Sequence, residues 1–329
     1  MKALDVTILK SLLRAGPEHV SGVELAKEVA LSRVSIWKHL EALQQEGFKF
    51  DAVRNRGYKI EKEPDHIHPT LLQAYLELDG NIVSPVHYLE LIDSTNSEAL
   101  RKLADGYETP CLVLAKKQEA GRGRLGRKWA ASDSGNFYMS YAFRPDVPAS
   151  YMQAFTVWMG ASLCHFLNES GYPTQIKWPN DLIHDGKKFG GMLTEAQLDA
   201  DCMRSLVFGI GLNVNSDPNQ APEELLPLIT SLKEVSGRPV PINAFAASFI
   251  RAVFGAYAAY MSGAYKDLLG SYWKQYDALM GREITLIQGE QRISGKAVGV
   301  NEKGHLLLES SGEVTAFYSG DVTIEKKAR

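Results

Sequence analysis

The chain has 329 residues, of which 45% are hydrophobic and 23% charged, with a formal net charge of −3. That length and apolar content allow a large buried core and two or three domains, which indicates a globular protein and excludes a disordered chain. The charge is unevenly divided, because residues 1–62 carry 11 Lys and Arg against 8 Asp and Glu, whereas the rest carries 25 against 31. The basic first segment hints at a nucleic-acid partner.

The cysteines and the apolar segments indicate in which cellular compartment the protein acts. The chain has three cysteines, Cys111, Cys164 and Cys202. Because they are odd in number and form no C-x-x-C pair, they indicate neither a disulfide framework nor a zinc site, and a cytoplasmic location fits best. The N-terminal run contains Asp5 and Lys10 and lacks a cleavage site, which argues against a signal peptide. The apolar stretch 242–265 is broken by Arg251, and it predicts a helix with one buried face instead of a membrane span.

The first sixty residues predict three short helices followed by a β-hairpin. Apolar residues recur at helical spacing in three segments, and Ser32 is placed to cap the third. Asn55-Arg56-Gly57 then separates two alternating runs, which indicates a hairpin turn. This order is typical of a winged helix-turn-helix, with residues 32–47 as recognition helix and residues 54–60 as wing.

Polar and basic side chains concentrate on the two elements of this region that should meet DNA. The predicted DNA contacts are Arg33, Ser35, Lys38, His39, Arg54 and Arg56. Side chains near the start of a recognition helix reach the major groove, and arginines at a wing tip meet phosphate. The alternative is a helical cap or dimerisation module whose charges are simply solvated.

The rest of the chain predicts a mixed α+β domain and a terminal β-module. The apolar β-rich runs begin near residues 111, 136, 174, 187 and 205, and two long helical patterns cover residues 149–171 and 241–263. From residue 281 onward, short alternating strands separated by Gly, Asn and Ser turns predict a small β-barrel. The predicted domains are therefore residues 1–64, 65–276 and 277–329.

The segment GRGRLGRKW, residues 121–129, combines four cations with three glycines. Its G-x-G-x-x-G spacing matches a dinucleotide fingerprint, but the first glycine does not directly follow a strand and no apolar helical pattern follows, so a Rossmann fold is disfavoured. A nucleic-acid patch stays open. Because glycines let the backbone wrap around and expose its N–H groups, we favour a grip on a concentrated anion such as a polyphosphate or mixed anhydride.

Five motifs carry a family resemblance. They occur in the order DSTNSEA (93–99), QEAGRGRLGRKW (118–129), KWPND (177–181), KKFGGML (187–193) and GIGLNVN (209–215). This order and spacing resemble the biotin protein ligases, and the predicted winged helix resembles the bifunctional type, which is both ligase and biotin-operon repressor. The resemblance implies a central domain like that of class II synthetases and lipoate ligases, and an SH3-like C-terminal barrel.

The resemblance also implies a reaction and its partners. Biotin and ATP, with Mg²⁺, would form biotinyl-5′-AMP, and the acyl group would pass to a lysine of the biotin carboxyl carrier domain of acetyl-CoA carboxylase and similar enzymes. The adenylate-bound protein would dimerise and bind the operator DNA of biotin genes. Such chemistry needs positioned cations and backbone donors more than a protein nucleophile.

Site residues follow by matching motif positions. The implied biotin contacts are Ser94, Thr95, Asn96, Gln118, Gly121, Arg122, Gly123, Lys188 and Gly191. The implied nucleotide contacts are Arg124, Arg127, Trp129, Asn180, Asp181 and Asn213. Lys188, seven residues after Asp181, matches the family's essential lysine, whereas Lys187 is a solvated neighbour. Lys188 and Arg124 are the catalytic candidates, Asp181 is a candidate Mg²⁺ ligand, and Asp93 has no assigned role.

Two other functions stay open. A lipoate or octanoate ligase would share the core, but its acyl pocket would not need the polar partners Ser94, Thr95 and Gln118. A regulator that only senses a metabolite would leave Lys188 and the Arg-Gly loop without evident purpose.

Overall fold

The structure is a computed structural model of the chain and describes residues 3–78, 86–129, 135–200 and 202–324. Packing divides it into two compact units. The first contains the described residues up to Tyr88 together with Pro241–Arg251, and the second contains Leu89–Val240 and the described residues from Ala252 onward.

The first unit contains the predicted winged helix-turn-helix. Its elements are α1 (Ala3–Ala15), α2 (Gly22–Glu28), α3 (Arg33–Gln45), and the antiparallel hairpin of β1 (Lys49–Val53) and β2 (Gly57–Lys62). The Ser32 hydroxyl accepts a hydrogen bond from Ser35 N at 3.1 Å, so the predicted cap of α3 is confirmed. Each helix turns its apolar face inward, and Leu12, Leu25 and Leu40 are buried in one core.

This unit continues past residue 64. Helix α4 (Pro69–Glu77) begins where His68 Nδ1 accepts from Leu71 N at 3.3 Å, and Leu71 is buried in the same core as Leu40. Asn243, far along the chain, also belongs here, because its side chain donates to the carbonyls of Pro64 and His66. Packing therefore makes a larger unit than the predicted DNA-binding domain, whose boundary at residue 64 stays a prediction.

The second unit is built on a sheet ordered β3-β4-β5-β10-β9-β8-β7, with β6 beside β10. Its strands are β3 (Val86–Ile92), β4 (Cys111–Gln118), β5 (Asn136–Phe143), β6 (Val147–Pro148), β7 (Gln175–Lys177), β8 (Asp181–His184), β9 (Lys187–Asp199) and β10 (Cys202–Asn213). Every residue of β5 is buried, as expected for a strand in the middle of the sheet.

Five helices accompany these strands in the described part of the chain. They are α5 (Thr95–Ala104), α6 (Phe155–Glu169), α7 (Leu232–Ser236), α8 (Ile242–Met261) and α9 (Tyr265–Tyr276). By length and composition α8 passes the test for a membrane span, but half of its most apolar window is buried, which agrees with the predicted core helix.

The apolar β-rich run that begins near residue 174 is not one strand. The run forms a tight hairpin of β7 and β8, in which Lys177 lies opposite Asp181. Trp178, Pro179 and Asn180 make the turn, and proline is suited to a turn because it has no backbone N–H to donate to a ladder. The hairpin brings Lys177 and Asp181 to one edge of the sheet.

The C-terminal strands form the predicted β-module. They are β11 (Glu283–Gln288), β12 (Gln291–Val300), β13 (Leu306–Ser310), β14 (Glu313–Phe317) and β15 (Asp321–Ile324), ordered β14-β13-β12-β11-β15 with antiparallel pairing. Ile284, Leu286 and Leu306 are fully buried. Asp321, at the start of β15, reaches the site described next.

Candidate functional site

One cavity of about 180 Å³ collects most of the predicted ligand-binding residues. Its lining includes Ser94, Thr95, Asn96, Gln118, Arg122, Gly123, Arg124, Arg127, Trp129, Asn180, Asp181, Lys188 and Gly191. Gly121 lies beside it, where an added Cβ would be 3.3 Å from Gln118 Nε2. Asn213 lies in a neighbouring cavity. The predicted set is therefore brought together, although its motifs span more than a hundred residues.

A buried polar cluster lines part of the cavity. Gln118 Oε1 accepts from Thr95 N at 2.7 Å and lies 3.1 Å from Thr95 Oγ1. Ser140, on β5, lies within hydrogen-bond distance of both Thr95 and Asn96. Ser94 takes the N-cap position of α5, but its side chain does not cap the helix. The cluster can satisfy the polar atoms of a buried ligand head group.

Asp93, which had no predicted role, fixes the start of α5. Its carboxylate accepts from Ser94 N at 2.7 Å and pairs with Arg101 through Nη2 at 2.8 Å. Hydrogen bonding from Arg101 holds the pKa of the Asp93 carboxyl below its usual range. Asp93 therefore supports the residues beside it and does not line the cavity.

Trp129 lies across two glycines of the sheet. An added Cβ would lie 2.8 Å from the indole ring at either Gly191 or Gly211. Gly191, which the resemblance implies as a biotin contact, therefore leaves room for Trp129 in this structure. Gly190 differs, because its added Cβ would lie 2.6 Å from Leu212 Cδ2. This glycine therefore allows the Leu212 side chain to pack against the backbone. Trp129 Nε1 is buried without a hydrogen-bond partner among the described residues.

Lys188 lines the cavity beside an acidic and an aromatic side chain. Its Nζ lies 2.6 Å from Asp181 Oδ1 and 5.3 Å from the centre of the Trp129 ring. Lys187 is exposed, as expected for a solvated neighbour. The β8–β9 hairpin explains why the spacing of seven residues joins Lys188 to Asp181, because these strands are adjacent.

The C-terminal module contributes a carboxylate that the sequence did not indicate. Asp321 forms an ion pair with Arg127, and both terminal nitrogens of Arg124 donate to the Gly320 carbonyl at 3.3 Å. Arg124 also lies 3.4 Å from Asn180 Oδ1, and burial lowers its pKa. The two loop arginines that were predicted to meet nucleotide are therefore held by Gly320 and Asp321.

Two further residues were missed as site residues. Lys177 lines the cavity, and burial lowers the pKa of its ammonium group. Glu195, on β9, accepts from Asn96 Nδ2 at 2.7 Å and from Arg122 Nη2 at 2.8 Å. Lys177 had a signal in the sequence, because it begins the KWPND motif, but it was given no role, whereas Glu195 lies outside every quoted motif.

A second cavity of about 180 Å³ adjoins the first and shares Lys128, Trp129 and Lys188 with it. Asn213 lines this cavity and donates to the Thr230 carbonyl at 3.1 Å. Asn180 lies in the first cavity, where its side chain also donates to the Met192 carbonyl at 2.6 Å. Two neighbouring cavities that share Lys188 in their linings offer room for a two-part ligand.

The described residues contain no group of three His, Cys, Asp or Glu side chains able to hold a metal. Asp181 and Asp321 line the cavity as separate carboxylates. Two separate carboxylates fit a cation held mainly by substrate oxygens, as Mg²⁺ is in nucleotide sites, and Asp181 stays the candidate ligand that the resemblance implies.

The predicted DNA contacts lie in the first unit. Arg33, Lys38, Arg54 and Arg56 are exposed, and Ser35 is partly exposed. His39 differs, because its Nδ1 lies 2.6 Å from the buried Asp5 carboxylate and its side chain is partly buried. Trp37 and Val34 on the same helix are exposed although apolar, and they were not predicted as contacts.

Comparison with known proteins matches all three regions. Residues 88–213 match the Biotin/lipoate A/B protein ligase family, residues 7–59 match an HTH domain, and residues 279–324 match the Biotin protein ligase C terminal domain. The bifunctional ligase/repressor BirA of Bacillus subtilis is 32% identical over 97% of this chain and 99% of its own length. The protein of the same name from Escherichia coli is 28% identical over 98% of each chain.

A solved structure agrees with the fold. Biotin protein ligase from Aquifex aeolicus, in complex with biotin and ATP, is 27% identical, and its similarity covers 74% of this chain and all of that one with a TM-score of 0.60. The chain described here belongs to the biotin protein ligase family, in the group that joins a ligase to a helix-turn-helix.

Proposed function

We propose that this protein joins biotin to a lysine of the biotin carboxyl carrier domain of acetyl-CoA carboxylase and similar enzymes, and that it represses biotin genes. The observation that carries the ligase half is a single cavity whose lining combines a buried polar cluster with the cations Lys188 and Arg124. Such a lining can bind the polar head group of an acid and also offset the charge of its carboxylate.

In the first step, a biotin carboxylate oxygen attacks the α-phosphorus of ATP, and pyrophosphate leaves. Both reactants are anionic, so the step depends on cations that offset their repulsion. Lys188, a point cation with rotatable donors, bridges carboxylate and α-phosphate after it releases Asp181. Mg²⁺, held by nucleotide oxygens and Asp181, would supply further charge neutralisation.

The loop of residues 121–129 holds the adenylate until transfer. Arg124 and Arg127 exchange Gly320 and Asp321 for phosphate oxygens, and the loop keeps water from the anhydride. The carrier lysine then attacks the acyl carbon, an amide bond forms, and AMP leaves with the bonding electrons. No protein nucleophile takes part. The adenine side of the nucleotide belongs in the second cavity, beside Asn213.

The buried polar cluster favours biotin over lipoate or octanoate. A ureido group offers one carbonyl acceptor and two N–H donors, and these match the hydroxyls and amide of Ser94, Thr95 and Gln118. An acyl chain without such groups would leave the buried polar atoms without ligand partners, which costs free energy.

The repressor half rests on the first unit. Exposed arginines on α3 and at the wing are suited to DNA, and the relatives named above are ligase/repressors. We infer that the biotinyl-AMP form dimerises, because paired winged helices match a two-fold symmetric operator. The three cysteines carry free thiols, which suits action in the reducing cytoplasm.

The test is pyrophosphate release from ATP and Mg²⁺ with biotin, lipoate, octanoate or no acid. We expect release with biotin alone, and a fall of about 100-fold or more in Lys188→Ala, because a charge partner of the transition state is lost. Lys187→Ala is the matched control and should keep the wild-type rate. Release with lipoate or octanoate would favour the acyl-ligase alternative, and no release with any acid would favour a sensor.

A further inference from the structure

Glu195 connects two parts of the site that are far apart in the sequence. A single carboxylate oxygen, Oε2, accepts from Asn96 Nδ2 at 2.7 Å and from Arg122 Nη2 at 2.8 Å. Asn96 is 4% exposed and belongs to the polar cluster, whereas Arg122 belongs to the loop of residues 121–129. An ionised carboxylate only accepts hydrogen bonds, so both partners must donate.

This contact fixes which way the Asn96 amide faces. Its NH₂ group donates to Glu195 and also lies 3.3 Å from the Leu193 carbonyl, another pure acceptor. Its oxygen therefore faces Ser140 Oγ, 2.6 Å away. The amide lies against the backbone of β10, where an added Cβ at Gly209 would be 1.9 Å from Asn96 Oδ1.

The fixed amide determines how the neighbouring hydroxyl protons are used. Ser140 has one hydroxyl proton, and Asn96 Oδ1 can only accept it. Thr95 Oγ1 lies 2.8 Å from Ser140 Oγ and 3.1 Å from Gln118 Oε1, both free to accept, so its single proton is also used inside the cluster. Thr95 Oγ1 therefore offers a ligand its lone pairs, and acts as an acceptor.

Gln118 has the opposite polarity. Its Oε1 accepts from Thr95 N at 2.7 Å, which leaves Nε2 as the donor of that side chain. The cluster thus presents an acceptor and a donor next to each other. A cyclic urea has the complementary pair, an N–H beside a carbonyl.

We propose that Glu195 is a positioning residue that sets the hydrogen-bond polarity of this cluster, and so selects a ligand with an N–H beside a carbonyl. The assignment rests on the proposed biotin specificity. Glu195 need not touch the ligand; it acts through Asn96, Ser140 and Thr95. Without an acceptor at position 195, Asn96 keeps only the longer contact to Leu193, its amide can turn over, and the hydroxyl protons redistribute.

A purely electrostatic role predicts different behaviour. If Glu195 served only to hold Arg122, then Glu195→Gln and Glu195→Met would weaken binding alike, since both remove the charge. Selection among head groups would not change. Under the proposal, Glu195→Gln keeps an acceptor for Asn96 and retains selectivity, whereas Glu195→Met loses it.

The experiment compares biotin with its two carbamate analogues, in each of which one ureido N–H is replaced by oxygen. Dissociation constants are measured for the full chain by calorimetry. We expect the wild type to bind at least one analogue about tenfold or more weakly than biotin, because a buried acceptor then loses its donor. In Glu195→Met that ratio falls to within about threefold of unity, and in Glu195→Gln it stays near the wild-type value.

Asp199→Asn is the matched control, because Asp199 lies at the far end of the same strand and pairs only with Arg204 in the described structure. It should keep the wild-type ratio. The ratio compares two ligands on one preparation, so partial unfolding of a variant does not change it. A wild-type ratio in Glu195→Met, or its loss in both variants, would overturn the Glu195 assignment. Failure of the wild type to bind biotin would instead contradict the proposed function.

Discussion

At the scale of single residues, the site contains a cluster of cations, two of which form ion pairs with carboxylates. Arg124, Arg127 and Lys188 line the cavity, with Asp181 paired to Lys188 and Asp321 to Arg127. Under the proposed function, phosphate oxygens of a nucleotide would replace these carboxylates as partners. The cations would then be positioned before substrate arrives, and the reaction would not have to order them.

The loop arginine Arg124 gives the sharpest residue-scale prediction. Arg124→Gly should let activated biotin escape about 100-fold faster, because a cation that holds the adenylate is lost. Biotinylation of a non-carrier protein added to the reaction, detected with labelled streptavidin, measures that escape. Arg204→Gly, an exposed arginine outside the cavity, is the control. Wild-type retention by the Arg124 variant would show that this arginine does not hold the adenylate.

The family resemblance indicated some residues of the site and missed others. Lys188 and Asp181 were indicated because they belong to short motifs that match the family, and the structure places them on adjacent strands joined by a short turn. Asp321 is 194 residues from Arg127, and Glu195 is 73 residues from Arg122. No periodicity or motif links such positions, since only the tertiary fold brings them together.

At the scale of elements, the predictions succeeded where apolar patterns were long and failed at a turn. Strand β4 and helices α6 and α8 lie where the patterns placed them, because continuous burial leaves a clear periodic signal. The prediction for the β-rich run that begins near residue 174 was wrong. Apolar residues flank a turn there on both sides, so their pattern resembles one continuous strand although the run forms two.

The wing is an element whose geometry depends on one glycine. Gly57 has φ of +112°, and an added Cβ would lie 2.0 Å from the Val20 carbonyl oxygen. Gly57→Ala should destabilise the winged helix by roughly 1 kcal/mol or more and weaken DNA binding. Pyrophosphate release should be unchanged, because the residues lining the cavity all lie in the second unit.

Thermal unfolding, operator binding and pyrophosphate release, all measured on the same Gly57→Ala preparation, check this prediction. Gly255→Ala is the control, since nothing lies within 4 Å of its added Cβ on α8. Equal DNA affinity in the Gly57 variant and the control would show that the hairpin does not contribute to DNA binding.

At the scale of the whole molecule, charge is divided between the two proposed activities. The basic residues of the first 62 positions outnumber the acidic ones, and the remainder is acidic overall. The excess is small, so net charge alone would not have identified DNA binding. The match to an HTH domain and the exposed arginines on α3 and the wing provide the stronger argument.

Salt dependence tests that argument quantitatively. Arg56→Ala should weaken binding to operator and to random DNA by similar factors, and should reduce the slope of log K against log salt by about 1, because one phosphate contact is lost. Arg14→Ala, an exposed change on α1 away from the recognition helix and wing, should leave the slope unchanged. Fluorescence anisotropy across a salt series, with ATP and biotin present, gives both values. An unaltered slope in Arg56→Ala would remove this residue from the DNA interface.

The most direct test of the central claim is the native mass of the protein after incubation with biotin, ATP and Mg²⁺. We predict a non-covalent complex heavier by one biotinyl-AMP, which disappears when a biotin carrier domain is added and that domain gains one biotin. Denaturation before carrier addition should return the unmodified protein, because no side chain is acylated. A covalent acyl-enzyme, or the absence of any adenylate-bound species, would contradict the account.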